Sequence, residues 1–249
     1  MFCQNGFELG DDFWPFRGHV FLLDQDSIPA PDCVARLCEA ETELRDEGVA
    51  VAALGPRIVD RRTGRAYSFK QFSRFGMKRR LCTAQSQLID ADFVIASGTL
   101  SSIESMRAVG PMDDGLFIDR IDIDWCLRAR AMGRRISGVC GAKLLHEPGQ
   151  QIKRVWIGRW REIALHSPER TYYMVRNSIL LYGRAHSPLR WIVADILWLC
   201  GVVLASCLFA PSRFRRVKLA VRAISHGLRK ATGPLVETSH PGAGRDARS

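Results

Sequence analysis

The sequence predicts an α/β fold, because apolar runs of strand length alternate with segments of helical spacing. The run Val20–Leu23 stops at the polar triplet Asp24-Gln25-Asp26, and an apolar run before such a break is typical of a buried strand. A second predicted strand, Leu88–Ala96, leads into small residues, Ser97-Gly98-Thr99, and then a helix. In open α/β sheets ligands bind at the carboxyl ends of strands. Both turns are therefore candidates for a binding site.

The first turn offers oxygen ligands for a hard divalent cation. Asp24 and Asp26 stand two positions apart across a tight bend, and they leave coordination positions for water or phosphate. An acidic surface turn without a metal is the alternative, since Asp is common in turns. The motif alone does not separate the two explanations.

Composition and charge indicate a folded protein with an anionic partner. Its 249 residues are 47% hydrophobic and 25% charged, which is ordinary for one domain with an appendage. The formal net charge is +10, with acids concentrated before Asp124 and arginines and lysines after Arg128. This asymmetry indicates a membrane surface or a phosphate-bearing substrate. Nucleic acid is disfavoured, because the arginines flank an apolar helix and form no recognisable binding motif.

The eight cysteines are Cys3, Cys33, Cys38, Cys82, Cys126, Cys140, Cys200 and Cys207. No two of them form a CxxC pair, and several lie inside apolar helical patterns. Small buried cysteines of this kind are typical of proteins in reducing compartments. The cysteines therefore predict a reduced protein that faces the cytosol.

The remaining patterns predict further elements of the sheet and its helices. A helix over Cys33–Glu47 follows the cap Asp32 and ends at Gly48. The basic, weakly patterned segment Ala66–Ser86 predicts a mobile loop. Short strands are expected at Val49–Leu54 and Arg57–Val59, separated by Gly55-Pro56, and at Arg135–Val139 and Lys143–Leu145.

A capping box is predicted after the turn of small residues. Ser101 and Glu104 have the spacing at which a cap and the third helical residue bond reciprocally, and the helix Ile103–Val109 follows. Small residues at Ser97-Gly98-Thr99 let a ligand approach the backbone closely. A plain turn between strand and helix explains them equally well.

One predicted helix carries the strongest indication of catalysis. Asp119, Asp122 and Asp124 gather at its start. The helix dipole favours acids there by roughly 0.3–1 kcal/mol each, which explains one or two of them. Trp125 and Arg128 follow at once. An acid backed by an aromatic ring and a guanidinium suits a general base that faces an anionic substrate.

An almost continuous apolar helix is predicted over Trp191–Ala210, interrupted at Asp195. Its charge-free part, Ile196–Ser212, has 17 residues, which is the lower limit for a membrane span. Basic residues on both sides blur the asymmetry that would orient a span. We therefore expect a helix that lies in the cytosolic leaflet. A single span and a buried helix are the alternatives.

Four motifs follow one another along the chain: FLLDQDS, SGTLSSIESMRAVGPMDDGLFIDRIDIDWCLRARAMGRRI, LLHEPG and HSPERTYYMVRNSILL. In this order they resemble the inverting family 2 glycosyltransferases, and most closely the bacterial rhamnosyltransferases of O-antigen and cell-wall polysaccharide synthesis. The last motif caps and forms a helix over Thr171–Arg184. The resemblance covers about Gly18 to Leu235.

The resemblance implies a GT-A fold, which is a Rossmann-like mixed sheet, with dTDP-L-rhamnose as donor and a glycan or lipid-linked glycan as acceptor. Asp24 and Asp26 match the DxD pair that holds Mg²⁺ or Mn²⁺ against the donor diphosphate, and Asp122 matches the base that deprotonates the acceptor hydroxyl. His146 matches a position that often joins the metal or diphosphate site, although a lone His after a strand is more often a loop residue. The residues expected at the donor or acceptor are Gln25, Ser97, Gly98, Thr99, Trp125 and Arg128.

The resemblance also implies that an N-terminal nucleotide-binding part is missing. Family members begin with an apolar strand, an acidic residue at the base and ribose, and a further helix–strand unit. We expect a partial GT-A domain over residues 1–165 and a helical region over residues 166–235 at the cytoplasmic face of the inner or plasma membrane. Residues 236–249 are expected to be a disordered tail, because they are rich in Gly, Pro and charge.

Two other functions are compatible with the same residues. A catalytically inactive remnant would bind only a membrane or a partner. A metal-dependent phosphohydrolase would use the same aspartates, but the sequence has no His-rich second metal site.

Overall fold

The computed structural model describes residues 18–73, 76–146, 151–156 and 160–235. The predicted tail, residues 236–249, lies outside the described residues. The strands are β1 (His19–Phe21), β2 (Ser27–Pro29), β3 (Val51–Asp60), β4 (Phe69–Ser73), β5 (Gly76–Arg80), β6 (Leu88–Asp90), β7 (Leu100–Ser102), β8 (Arg135–His146), β9 (Gln151–Trp156) and β10 (Trp160–Leu165). The helices are α1 (Cys33–Asp46), α2 (Ile103–Val109), α3 (Ile121–Ala131), α4 (Pro168–Tyr182), α5 (Leu189–Phe209) and α6 (Arg213–Leu228).

A mixed sheet of six strands forms the centre of the fold. Its order is β1-β7-β3-β8-β2, and β6 also pairs with β8. The strands β3 and β8 are parallel, whereas the other pairings in this sheet are antiparallel. The predicted α/β class with a mixed sheet is therefore confirmed.

The two central strands are continuous, so the breaks predicted in both are wrong. β3 runs through Gly55-Pro56. The glycine leaves room for a close neighbour, since a Cβ at position 55 would lie 2.6 Å from Cγ1 of Val94. In β8 the pairing with β3 jumps from Val139 to Lys143. A β-bulge thus absorbs the residues that the sequence pattern placed between two strands.

The strand before the acidic turn is an edge strand of the described sheet, not the buried inner strand predicted. β1 pairs with β7 and ends at Phe21, with His19 exposed and the next two residues half-buried. Leu22 continues the contact, because its N–H donates to the carbonyl of Thr99 at 2.9 Å. The acidic turn therefore connects the two opposite edges of the sheet, β1 and β2.

The segment Ala66–Ser86, predicted to be a mobile loop, contains the β4–β5 hairpin. Phe72 of the hairpin is buried and stacks on Phe93, with ring centroids 5.8 Å apart. Beyond the hairpin, Cys82 forms a disulfide with Cys140 of β8. The prediction of reduced cysteines is wrong for this pair, whereas the other five described cysteines are free.

The strand predicted over Leu88–Ala96 ends early, at Asp90. Two residues later the buried carboxylate of Asp92 pairs with Arg130 of α3 at 3.1 Å. The same carboxylate accepts a hydrogen bond from the backbone N–H of Phe72. These two contacts draw the chain out of the sheet toward α3 and the hairpin.

The cap of α2 lies one residue later than predicted. The hydroxyl of Ser102 accepts from the backbone N–H of Ser105 at 3.1 Å. Ser101 instead donates to the carbonyl of Ala52 in β3 at 2.7 Å. Because strand alternation turns Ser101 toward β3, it is not available as the cap.

The C-terminal helices share a core with the sheet. One buried cluster joins Phe72 and Leu127 to Leu181 and Trp191, and so crosses the predicted boundary at residue 165. The division into domains stays a prediction. α4 begins with the predicted cap, since the hydroxyl of Ser167 accepts from the N–H of Arg170.

α5 is the one helix among the described residues that is long and apolar enough to cross a membrane by length and composition. It has 21 residues, and its most apolar window has a mean hydropathy of 2.4. Only 22% of that window is buried in the protein. Core helices and spans both pass such a test, so the membrane location stays a prediction.

Candidate functional site

The acidic turn and the end of β8 bring together a potential cation site. Ligand atoms of Asp24, Asp26 and His146 all lie within 4.8 Å of one another. Asp26 is exposed and Asp24 is half-buried. Burial raises the pKa of Asp24, and the neighbouring charge of Asp26 raises it further. Two carboxylates that repel each other in this way would be stabilised by a divalent cation.

A relay of hydroxyl groups fixes the geometry of this cluster. The hydroxyl of Ser27 lies 2.9 Å from Nδ1 of His146 and 2.7 Å from the hydroxyl of Ser97. Ser97 in turn accepts from the backbone N–H of Asp24 at 3.2 Å. The same Nδ1 of His146 lies 3.6 Å from Oδ1 of Asp26, so Ser27 orients the imidazole edge that faces the acidic turn. Ser97, predicted at the donor or acceptor, therefore supports the acidic turn directly.

The turn that carries Ser97 requires glycine at its next position. Gly98 has φ +83°, and a Cβ there would lie 2.6 Å from Cγ of Pro56 and 2.9 Å from Cδ2 of Leu144. Its N–H donates to the carbonyl of Leu22 at 2.7 Å. Thr99, the following residue, is held by its own hydroxyl bond to the carbonyl of Ile95. The glycine thus leaves room for the side chains of Pro56 and Leu144 rather than for a ligand.

Asp122 lies on the other side of the same turn, in an apolar cavity. The cavity is lined by Leu22, Val94, Ala96, Thr99, Ser101, Met106, Met112, Asp122, Trp125 and Cys126. Burial raises the pKa of Asp122 to about 6, although hydrogen bonds from the backbone N–H groups of Ile123 and Ala96 oppose the rise. Ala96 precedes Ser97, so one short turn contacts both the base candidate and the acidic turn.

The three acids near the start of α3 have three different environments. Asp119 forms an ion pair with Arg170 at 3.1 Å. Asp124 is fully buried and binds three cationic or ring groups, on Arg128, Arg184 and His186. Asp122 has no ion-pair partner among the described residues. Of the three acids, Asp122 is therefore the one whose carboxylate is not held in an ion pair and could accept a proton.

Trp125 and Arg128 differ in their fit to the predicted role. Trp125 lines the cavity beside Asp122, with its Nε1–H bonded to the carbonyl of Gly110 at 2.9 Å. Arg128 does not line this cavity. Its guanidinium bonds Asp124 and the carbonyls of Val109 and Pro111, so Arg128 fastens the α2–α3 connection to α3. Gln25 is exposed at the tip of the acidic turn.

The segment directly before Asp122 is strained. Phe117, Asp119 and Arg120 all have positive φ, at 64°, 62° and 71°. Non-glycine residues rarely adopt this region, and strain of this kind persists only where the surroundings over-determine it. Such strain is concentrated at functional sites.

Two adjacent residues of α4 hold the strained segment. The side-chain amide of Asn177 donates to the carbonyls of Leu116, Ile118 and Asp119 at 2.8–2.9 Å. Arg176 donates to the carbonyl of Leu116 at 2.9 Å. Both side chains are buried. The motifs gave this Arg-Asn pair no predicted role, although a polar pair inside an otherwise apolar helix face is a signal that could have marked it.

α5 holds the same segment from the other side. Arg120 forms a buried ion pair with Asp195 at 2.8 Å, and its guanidinium lies 5.0 Å from the ring centre of Trp198. The hydroxyl of Tyr182 donates to Asp195 at 2.8 Å. Asp195, the acid that interrupts the apolar helix, is thus a structural partner of the strained segment before Asp122, which the sequence pattern did not indicate.

Comparison with known proteins gives one curated relative and a distant structural match. No family model matches the chain. The chain is 27% identical over 217 residues to dTDP-rhamnosyl transferase RfbF of Shigella flexneri, which covers 86% of this chain and 70% of the relative. The similarity confirms the predicted enzyme class, a glycosyltransferase. The expectation of a missing N-terminal part stays a prediction.

The structural match is a crystal structure of GalNAc-T7 with UDP, GalNAc and Mn²⁺, at a TM-score of 0.44 and 13% sequence identity. It covers 85% of this chain, and the chain spans 40% of that protein's length.

Proposed function

We propose that the chain transfers L-rhamnose from dTDP-L-rhamnose to a glycan or lipid-linked glycan acceptor, with inversion, in the synthesis of a polysaccharide such as O-antigen or cell-wall polysaccharide. The observation that carries the proposal is the turn Ala96-Ser97. Ser97 contacts the acidic turn, and Ala96 contacts the half-buried acid Asp122. A cation site and a base candidate on one turn suit a sugar donor and its acceptor. The named activity of the curated relative supports rhamnose as the sugar.

The residues present fit a divalent cation. Two carboxylates and one imidazole converge, and one carboxylate is exposed to a ligand from solution. Carboxylates suit Mg²⁺ and Mn²⁺, and the imidazole favours Mn²⁺ of the two. Asp24, Asp26 and His146 would hold the ion, with Ser27 orienting the imidazole. When bound, the ion would stabilise the negative charge that develops on the leaving diphosphate.

Asp122 serves as the general base in this proposal. One carboxylate suffices for a single inverting displacement, because no covalent intermediate has to form. Its carboxylate takes the proton of the acceptor hydroxyl while that oxygen attacks the anomeric carbon. A pKa of about 6 keeps Asp122 ionised near neutral pH and makes it a stronger base than an exposed Asp. Trp125 and the methionines of the cavity would exclude water beside it.

The place of action proposed is the cytoplasmic face of the inner or plasma membrane. The apolar helix α5 supports this location, as does the concentration of basic residues in the C-terminal half. A lipid-linked acceptor would then lie in the same surface as the enzyme.

The test is rhamnose transfer from dTDP-L-rhamnose to membranes of the source organism, with and without Mn²⁺. Asp26→Asn should abolish the metal-dependent transfer, because it removes a ligand without disturbing an exposed turn. Asp46→Asn, at another exposed acid, is the matched control and should keep full activity. Titration of free Mn²⁺ by electron paramagnetic resonance measures binding without turnover. Asp26→Asn should bind Mn²⁺ more weakly than Asp46→Asn does. Full transfer in excess chelator would overturn the cation's part.

A further inference from the structure

Helix α6 turns an apolar stripe toward solvent. The stripe consists of Phe214, Val217, Val221, Ile224 and Leu228, which are 47–94% exposed. At about 100° per residue these side chains lie within an arc of about 80°. A helix on the surface of a globular protein normally turns its apolar stripe toward the core. The stripe is therefore without a partner in the described part of the chain.

The orientation of α6 is fixed by its other face. Arg216, Ala223 and Gly227 are buried there. The packing against α4 is close, since a Cβ at Gly227 would lie 2.8 Å from Cβ of Ile179. Arg216 also donates to the hydroxyl of Ser206 at 2.6 Å. Because these contacts hold α6, the stripe cannot rotate inward.

The neighbouring helix α5 exposes apolar side chains as well. The most exposed are Leu189, Val193, Leu197, Leu204 and Leu208. Only residues 210–212 separate the two helices. Single exposed apolar residues are normal on the surface of a soluble protein, but α5 and α6 each expose a row of them along one face.

Exposed cations accompany the stripe. By the same helical spacing Lys218 and Arg229 flank it on one side and Arg213 on the other, and all three are exposed. Apolar side chains bordered by Lys and Arg match the acyl boundary and the head groups of an anionic bilayer. A protein partner, by contrast, would need a separate acidic group opposite each of these flanking cations.

We propose that α5 and α6 together form a platform that lies in the plane of an anionic lipid surface, with α6 as a principal contact. The inference extends the proposed membrane location and does not depend on the transfer reaction.

The contacts of α5 argue against its crossing the membrane alone. Asp195 is buried in its ion pair with Arg120, and Trp191 lies in the core shared with the sheet. Near the other end, Ser206 bonds Arg216 of α6. A span would withdraw this whole face from the protein and leave charged partners in hydrocarbon. An in-plane helix keeps these contacts and buries only the exposed face.

Flotation of the full chain with vesicles tests the platform. Binding should be strong to vesicles that contain phosphatidylglycerol and weak to pure phosphatidylcholine. Phe214→Ser with Val221→Ser should weaken binding about tenfold or more. Met132→Ser, at an exposed apolar residue after α3, is the matched control and should bind as the unaltered chain does. Lys218→Gln with Arg229→Gln should weaken anionic binding by roughly fivefold per residue.

Several outcomes would overturn the platform. Flotation that is unaffected by the Phe214/Val221 substitutions would leave the membrane location standing and remove α6 from it. Absence of binding to either kind of vesicle would contradict both the membrane location and the contact through α6. The stripe is instead an interface between copies of the chain if the protein does not bind vesicles and the same substitutions dissociate a dimer in sedimentation equilibrium. Circular dichroism and thermal unfolding confirm that the variants fold.

A labelling experiment separates in-plane binding from a span. Leu189→Cys and Leu208→Cys place thiols at the two exposed ends of α5. With a maleimide that cannot cross the vesicle membrane, both positions should react alike in the bound protein, as mapped by mass spectrometry. Protection of one position until detergent is added would establish a span and contradict the in-plane platform.

Discussion

Asp122 combines a functional requirement with a stability cost. Its pKa is raised from 3.8 to about 6 by burial, so the folded state resists ionisation of this carboxyl. The stability that the neutral carboxyl contributes is present below pH 3.8 and is lost as the pH rises through about 6. Transfer should rise as the pH passes through about 6, where the carboxyl of Asp122 in the folded protein becomes ionised.

Asp122→Asn should therefore raise the thermal unfolding midpoint at pH 8 more than at pH 4.5, because the amide remains neutral at both. Differential scanning calorimetry at the two pH values measures the difference. Asp46→Asn is the control, since Asp46 is exposed. Equal effects of Asp122→Asn at the two pH values would contradict an elevated pKa.

A second residue-scale prediction concerns Gly98. Substitution by Ala forces a side chain into the left-handed region, at about 1–2 kcal/mol, and overpacks it against Pro56 and Leu144, at about 1–3 kcal/mol more. Gly64→Ala is the matched control, because Gly64 has φ +68° and no atom within 4 Å of a Cβ. Urea unfolding should show a larger loss for Gly98→Ala, and equal losses would show that the turn can relax.

At the residue scale, the sequence predicted the members of the potential cation site but not the residues that support them. Asp24, Asp26 and His146 were predicted together because their motifs resemble those of a known family, and the structure brings their ligand atoms within 4.8 Å of one another. Ser27 escaped notice because a single hydroxyl has no sequence signal apart from its contacts. Arg128 was predicted as a substrate ligand, since the sequence does not show which arginines donate to backbone carbonyls.

At the scale of elements, α4 determines the shape of the segment before Asp122. Asn177→Asp keeps the side-chain shape but replaces amide hydrogens by an acceptor that faces buried carbonyls. Each unsatisfied buried group costs about 1–3 kcal/mol, so a loss of about 3 kcal/mol or more is expected in urea unfolding. Thr42→Ala removes an exposed side-chain bond to the carbonyl of Cys38 and should change stability by less than about 0.5 kcal/mol. Similar losses for both variants would remove Asn177 from this role.

The ion pair between Asp195 of α5 and Arg120, which precedes α3, gives a second prediction at the scale of elements. Asp195→Asn leaves Arg120 buried without its counter-charge, which typically costs about 3–5 kcal/mol. Glu169→Gln breaks the exposed pair with Arg215 and should cost at most about 1 kcal/mol. Chemical unfolding compares them. A small effect of Asp195→Asn would mean that the pair contributes little and that α5 is free to leave the protein.

Helices and strands were predicted correctly where local sequence signals determine them. They were missed where long-range packing determines them. The helix α1 followed from its spacing, and the cap of α4 at Ser167 from its capping residue. The predicted cap of α1, Asp32, makes no side-chain cap bond, because its carboxylate pairs with Arg36 at 2.6 Å. The breaks expected in β3 and β8 did not occur, because the two parallel strands support each other through Gly55-Pro56 and a bulge. The hairpin in Ala66–Ser86 was missed, since its order comes from contacts such as Phe72 with Phe93.

For the whole molecule, the central claim is that Asp122 is the base beside a cation-dependent sugar donor. The most direct measurement compares the unaltered chain with Asp122→Asn in rhamnose transfer from dTDP-L-rhamnose to source membranes, together with calorimetric binding of dTDP in Mn²⁺. The account predicts that transfer falls by about 10²–10⁴-fold while dTDP affinity stays unchanged, because the amide keeps its shape but cannot take the proton. Near-full transfer by Asp122→Asn, or an equal loss of dTDP binding, would contradict it.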